Sequence, residues 1–95
     1  MLSFSLNQKV SAAPNVSAQN LEGESIILNL QTEKYFGLDD VGTRICQVLI
    51  EKDSIQTAIN TLLTEYDVEA EKLQQDVENL IEDLLKHGLV EVGSA

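Results

Sequence analysis

Two short alternating segments joined by a polar turn constrain the fold of this chain more than any other feature of its sequence. In residues 26–30 one face of a strand would carry Ile26, Leu28 and Leu30, and the other Ile27 and Asn29. Residues 35–38 alternate in the same way, with Phe36 and Leu38 on one face and Tyr35 and Gly37 on the other. The polar residues 31–34 lie between the two segments, so the pattern predicts an antiparallel hairpin.

A third strand precedes the hairpin. Residues 16–21 are compatible with a strand, and the Glu22-Gly23-Glu24 sequence that follows is typical of a turn. The sequence therefore predicts a three-stranded antiparallel meander. A sheet this small requires a helix on one face to be stable.

Residues 39–87 have the periodicity of three helices. Asp39 is a candidate N-cap of the first, Asp53 or Ser54 caps the second, and the third extends over about residues 69–87 and stops at Gly88. Residues 89–92 predict a short terminal strand. The predicted fold class is α+β and winged-helix-like: a three-stranded antiparallel sheet, then three helices and a possible terminal strand.

The chain is long enough for one domain with a modest core. We expect residues 1–15 to form a flexible N-terminal arm, residues 16–92 the domain, and residues 93–95 a C-terminal tail. No apolar run approaches the ~20 residues of a transmembrane helix, and the N-terminus lacks the pattern of a secretory signal. We therefore expect a cytoplasmic protein.

The charge of the chain limits its partners. Six basic residues stand against sixteen acidic ones, for a net charge of -10. Phosphate contacts require Lys and Arg, so this balance argues against nucleic acid and against an anionic membrane surface. A winged helix commonly binds DNA, yet here the third helix, which would enter the groove, is itself acidic.

Residues that carry chemistry are sparse. His87 is the only histidine and falls where a helix C-terminus favours a cation, and Cys46 is the only cysteine and is expected at the margin of the core. A zinc site would lack ligands, and no glycine-rich phosphate loop is present. The sequence thus predicts no catalytic residue, no metal and no cofactor, and a protein that is not an enzyme.

One alternative rests on Ser54. The sequence Asp53-Ser54-Ile55 resembles the site at which acyl carrier proteins receive phosphopantetheine, and the size and acidity of the chain fit a carrier. Strand-like sequence before the serine does not fit, and an Asp-Ser pair is also an ordinary helix cap. An acyl or peptidyl carrier protein remains an alternative, as does a winged-helix interaction or DNA-binding module.

Several short motifs follow one another over about residues 16–92. They are Ile27-Leu28-Asn29-Leu30, Tyr35-Phe36-Gly37-Leu38-Asp39, Val41-Gly42-Thr43-Arg44-Ile45, Glu65-Tyr66-Asp67-Val68, Asp76-Val77, Leu80-Ile81, Leu84 and Gly88-Leu89-Val90. Their order and spacing resemble the PqqD-like family. One departure is Cys46, where the family often has an aromatic residue.

The resemblance implies a non-catalytic peptide chaperone of a pathway that modifies ribosomally made peptides. Such a domain binds the leader segment of a precursor peptide and delivers it to a maturation enzyme. A free-standing chain of this size is similar to the lasso-peptide branch, whose partners are a leader peptidase and a cyclase.

The residues agree with a binding site of this kind. A leader peptide would add as a strand to the edge of the sheet and place side chains against the apolar band of the third helix. Helical spacing leaves open whether the Leu73/Asp76/Leu80 edge or the Ile81/Leu85 edge of that helix faces the peptide. The predicted leader-binding residues are Lys34, Tyr35, Phe36, Gly37, Leu73, Asp76, Val77, Leu80 and Leu84.

Overall fold

The computed structural model describes residues 4–94 and contains two small antiparallel sheets and three helices. The strands are β1 (Gln8–Ala12), β2 (Val16–Leu21), β3 (Glu24–Asn29), β4 (Tyr35–Leu38) and β5 (Val90–Ser94). The helices, between β4 and β5, are α1 (Asp40–Glu51), α2 (Ile55–Glu65) and α3 (Ala70–Lys86). The predicted fold class, with its meander, three helices and terminal strand, is confirmed.

The meander has the order β2-β3-β4. Leu21 pairs with Glu24 across a two-residue turn in which Glu22 and Gly23 have φ of 53° and 89°. Two positive φ angles are typical of a type I′ turn, whose twist matches that of the strands. In the second hairpin Ile27 pairs with Phe36 and Leu28 with Tyr35, so β4 is an edge strand.

The expectation of a flexible arm over residues 1–15 is wrong for the part that the structure describes. β1 pairs with β5, with Val10 opposite Val92, and Val10 is 1% exposed. The Lys9 ammonium donates to the carbonyl oxygens of Ile50 (2.9 Å) and Lys52 (2.8 Å), where it supplies the positive charge that the last turn of α1 lacks. Residues 1–3 lie outside the described residues.

The expected C-terminal tail is also shorter than predicted. Gly93 pairs with Lys9 and Ser94 with Gln8, so both belong to β5. Ala95 lies outside the described residues. The terminal strand was predicted over residues 89–92, and pairing with β1 carries it two residues further.

Each helix begins or ends as its sequence indicates. Asp39 caps α1 by accepting from the Gly42 amide at 2.7 Å, and Ser54 caps α2 by accepting from the Thr57 amide at 3.1 Å. A Cβ at Gly42 would lie 3.2 Å from Asp39 Oδ1, which explains a glycine this early in a helix. α3 ends at Lys86, and Gly88 follows with φ of 68°, where the amide of Leu89 donates to the carbonyl of Leu84 and that of Gly88 to the carbonyl of Leu85.

The core lies between the helices and the two sheets. Its fully buried large side chains come from all three helices, from β1 and from the α3–β5 turn. They are Val10, Val48, Leu49, Ile55, Ile59, Leu62, Val77, Ile81, Leu84 and Leu89.

Strand β3 turns polar residues inward at both of its ends. Ser25 and Asn29 are buried, and Ile27 between them is half-buried, whereas Ile26 on the opposite face is 45% exposed. The Ser25 hydroxyl shares a 2.7 Å hydrogen bond with that of Thr43 in α1. The Asn29 amide group donates to the Gly88 carbonyl at 2.9 Å, and its side-chain oxygen accepts from two amides of the β3–β4 turn.

Replacement of Asn29 by alanine is expected to lower the free energy of unfolding by about 2 kcal/mol. The change removes three hydrogen bonds and leaves the part-buried Gly88 carbonyl without its donor. Asn20→Ala in β2 is the matched control, since Asn20 is exposed and should change stability by less than ~0.5 kcal/mol. Chemical denaturation measures both, and equal midpoints for the two variants would contradict the role assigned to Asn29.

Candidate functional site

The open edge of β4 is the main feature of the candidate site. The Asn29 amide donates to the Lys34 carbonyl at 2.8 Å, and in an antiparallel ladder such bonded positions alternate. With the register of β3 and β4, Phe36 and Leu38 direct their main chains toward β3. Tyr35 and Gly37 therefore direct their N–H and C=O groups away from the sheet, where no strand of the described chain covers them.

The C-terminal end of helix α3 lies beside this edge. The rings of Phe36 and His87 meet edge to face, with centroids 5.2 Å apart and an angle of 68°. His87 Nδ1 lies 2.8 Å from the Asp83 carbonyl oxygen. A carbonyl oxygen only accepts, so Nδ1 carries a proton and the ring is held in place.

The position of His87 distinguishes the two edges of α3. At 100° per residue, Leu73, Leu80 and Asp76 fall within about 60° of His87 around the helix axis, whereas Ile81 and Leu85 lie on the other side. The edge that includes Leu80 is therefore the one next to β4.

The predicted binding residues differ in accessibility. Lys34, Tyr35, Gly37 and Asp76 are exposed, and Phe36 and Leu80 are half-buried. Leu73, Val77 and Leu84 are only 5%, 0% and 0% exposed, so they pack in the core and do not line a surface. Their assignment as direct contacts is not supported by the structure, because the apolar band of α3 is wide enough to serve the core first.

Asp76 has a partner on its own helix. Its carboxylate lies 3.5 Å from the Lys72 ammonium, and both side chains are more than half exposed. An exposed pair of this kind contributes little to stability. Asp76 thus keeps a solvent-accessible carboxylate on the edge of α3 that faces β4.

Two depressions lie at the two ends of β4. One, of about 450 Å³, is lined by Glu33, Lys34, Tyr35, Lys86 and His87. The other, of about 340 Å³, is lined by Leu21, Glu24, Ser25, Ile26, Gly37, Leu38 and Asp39. Lys86, Leu21 and Ile26 were not predicted as site residues; the alternation of residues 26–30 was the signal for Ile26.

The outward face of the meander also carries large apolar side chains. Leu21, Ile26 and Tyr35 are 55%, 45% and 69% exposed, and Leu28 is half-buried beside Tyr35. The face predicted to carry Ile26, Leu28 and Leu30 is thus the one directed to solvent. The inward face is attached to the helices by Ile27, Phe36 and Leu38 together with its polar contacts.

The thiol of Cys46 and the hydroxyl of Ser54 have structural roles. Cys46 is buried in α1, and burial raises the pKa of its thiol to about 11. The hydroxyl of Ser54 is bonded within the first turn of α2. In residues 4–94 no three His, Cys, Asp or Glu side chains come close enough to hold a metal ion.

An ion pair joins α1 to the end of α2. Arg44 donates to both carboxylate oxygens of Glu65, at 2.8 and 2.6 Å. This hydrogen bonding raises the pKa of the Arg44 guanidinium and lowers the pKa of the Glu65 carboxyl. The pair fixes the end of α2 against α1.

The model of the family described as coenzyme PQQ synthesis protein D (PqqD) matches residues 24–90, from the start of β3 to the first residue of β5. The chain belongs to the PqqD family. Among curated proteins, none shows significant sequence similarity to it.

Two solved structures are similar over most of their length. TbiB1, in complex with the TbiA(beta) leader peptide, is 30% identical with a TM-score of 0.78, covering 85% of this chain and 94% of that one. A lasso peptide synthetase B1 complexed with the leader peptide also has a TM-score of 0.78, covering 87% of this chain and 98% of that one. The second is 23% identical and shows the fold alone.

No helix in residues 4–94 is long and apolar enough to span a membrane.

The thiol of Cys46 is expected to resist a thiol reagent at pH 8 in the folded protein. A pKa near 11 keeps the group protonated at this pH, and burial denies access. Absorbance-monitored labelling should be fast in guanidinium chloride and many-fold slower without it. Equal rates would mean that Cys46 is not buried in solution.

Proposed function

We propose that this protein is a non-catalytic recognition element that binds the leader segment of a ribosomally made precursor peptide. The leader adds as a strand to the open edge of β4, beside α3. The observation that carries the proposal is the pair of outward-directed main chains at Tyr35 and Gly37, in a fold similar to leader-bound TbiB1. Main-chain hydrogen bonds supply affinity in this mode, and neighbouring pockets supply specificity.

The β4 edge is favoured over the other open edge of the same sheet. β2 is also an edge strand, but it packs mainly on β3 and all its side chains except Val16 are exposed. A peptide added there would meet only Leu21, at the margin of one depression. At β4 it would meet two depressions and the Leu80 edge of α3.

The bound leader is handed to an enzyme that does the chemistry. The buried thiol of Cys46 and the capping role of Ser54 give this chain no activated nucleophile, which supports a role without catalysis. The partners are a leader peptidase and a cyclase, or another maturation enzyme of the same pathway. Precursor peptides are made by ribosomes, so we place the step in the cytoplasm.

Leader binding is expected to protect particular amides from hydrogen exchange. Tyr35 and Gly37 should become protected, because their N–H groups would donate to the peptide, while Phe36 and Leu38 are already bonded to β3. The probe is a synthetic peptide with the N-terminal sequence of a short precursor gene, which is to be sought in the neighbourhood of this one, and the readout is NMR-detected exchange.

The β2 edge serves as an internal control for that experiment. By the same alternation, the Ala18 and Asn20 amides face away from β3 and should stay unprotected. A scrambled peptide should protect none of these amides. Protection at β2 alone, or at neither edge, contradicts the proposed site.

Gly37 allows a test of the main chain without a change of side-chain contacts. A Cβ at Gly37 would meet no heavy atom within 4 Å, and its N–H is directed to the open edge. Gly37→Pro removes that donor at a position where an edge strand tolerates proline, so leader affinity should fall at least ~10-fold with the fold retained. Gly37→Ala keeps the donor and is the matched control.

Calorimetric titration of the leader peptide into the two variants measures the difference. Circular dichroism establishes that both are folded. Equal affinities of Gly37→Pro and Gly37→Ala would show that the peptide does not bond to this edge.

A further inference from the structure

The depression at the N-terminal end of β4 is lined mainly by basic side chains, although the chain as a whole is acidic. The chain carries sixteen acidic residues and six basic ones, yet this depression is lined by two lysines, a histidine and one acid. Lys34 and Lys86 come from distant parts of the chain, one before β4 and one in the last turn of α3. Within residues 4–94 neither forms an ion pair, whereas Arg44 and Lys72 both do.

His87 lines this depression, and its contacts in the described part of the chain leave one ring nitrogen without a partner. Its Nδ1–H is bonded to the Asp83 carbonyl, and the ring packs against Phe36. Nε2 is therefore the nitrogen available to a ligand, as an acceptor in the neutral ring and as a donor in the charged one. Lys34, Lys86 and the phenol of Tyr35 line the same depression with groups that can donate a hydrogen bond.

Three features oppose an anion here. Glu33 lines the depression, and the C-terminus of α3 contributes about half a negative charge from its dipole. Asp83 lies one turn before His87 and is exposed. Lys34 and Lys86 are full charges at the depression itself, and Lys86 lies where it offsets the dipole.

We propose that this depression binds a carboxylate side chain of the leader peptide, with Lys34 and Lys86 as specificity-determining residues. The inference rests on the proposed function, because the depression adjoins Tyr35 at the edge where the leader would add. An aspartate or glutamate at one position of the leader accepts hydrogen bonds from the two ammonium groups. This contact sets which end of the leader lies beside the C-terminus of α3.

The test is a double-mutant cycle between protein and peptide. Lys34→Gln and Lys86→Gln are each expected to weaken leader binding about fivefold at low salt, with a smaller effect at high salt. Each acidic residue of the leader is replaced in turn by its amide. For one such peptide the lysine substitutions should have no further effect, and this position is the one that enters the depression.

Two controls separate local from global charge. Lys52→Gln makes the same change of net charge at the end of α1, away from β4, and should bind as the wild type does. Lys86→Arg keeps the charge and should retain affinity. Thermal unfolding checks that all variants are folded.

The outcomes distinguish this proposal from the one it rests on. If the wild-type protein does not bind the leader, the proposed function fails and the carboxylate site fails with it. If the leader binds and protects Tyr35 and Gly37, but both lysine variants bind as tightly as Lys52→Gln, only the carboxylate site is overturned.

Discussion

The side-chain amide of Asn29 is the contact on which the geometry of the candidate site depends. It joins two chain reversals that are far apart in sequence, the β3–β4 turn and the turn at Gly88 that ends α3. The hydrogen bond is directional, and both of its ends are fixed by local structure, so it sets how far β4 lies from α3. The contact between Phe36 and His87 follows from that placement. Without it the hairpin would remain a hairpin, but its free edge would not be held beside a helix.

The Ser25–Thr43 hydrogen bond has the corresponding role at the other end of β3. Because two polar contacts and the side chains of Ile27, Phe36 and Leu38 hold the inward face, the sheet does not need Ile26 and Leu28 for its attachment to the helices. On its outer side the edge strand meets no other strand of the described residues, so the main chains of Tyr35 and Gly37 stay unpaired there. An open edge is a hazard for aggregation unless it is short or charged. β4 has four residues, and Lys34 precedes it.

The sequence predicts the local elements of this fold well and the distant contacts poorly. The three helices, their caps at Asp39 and Ser54, and the two strands of the hairpin follow from periodicity and capping chemistry. β1 was missed because its one buried residue, Val10, gives no alternating pattern and its partner strand lies about 80 residues away. The inward direction of Asn29 was missed for a similar reason, since the acceptor that satisfies its burial belongs to Gly88. At the site, the exposed edge residues could be read from the sequence, whereas the division of α3 between core and surface required packing.

The division of α3 between core and surface limits which residues can determine the specificity of binding. Leu73, Val77 and Leu84 lie on the side of α3 next to the edge, but each is buried, and truncation of such a residue typically costs 2–5 kcal/mol of stability. A small domain has little stability to lose. Under the proposed function, variation in what is bound must therefore come from positions that are more accessible than these, which are Lys34, Leu80 and Lys86 with the ring of His87. The main chain of β4 would then contribute affinity that is indifferent to side chains, and these few positions would select the peptide.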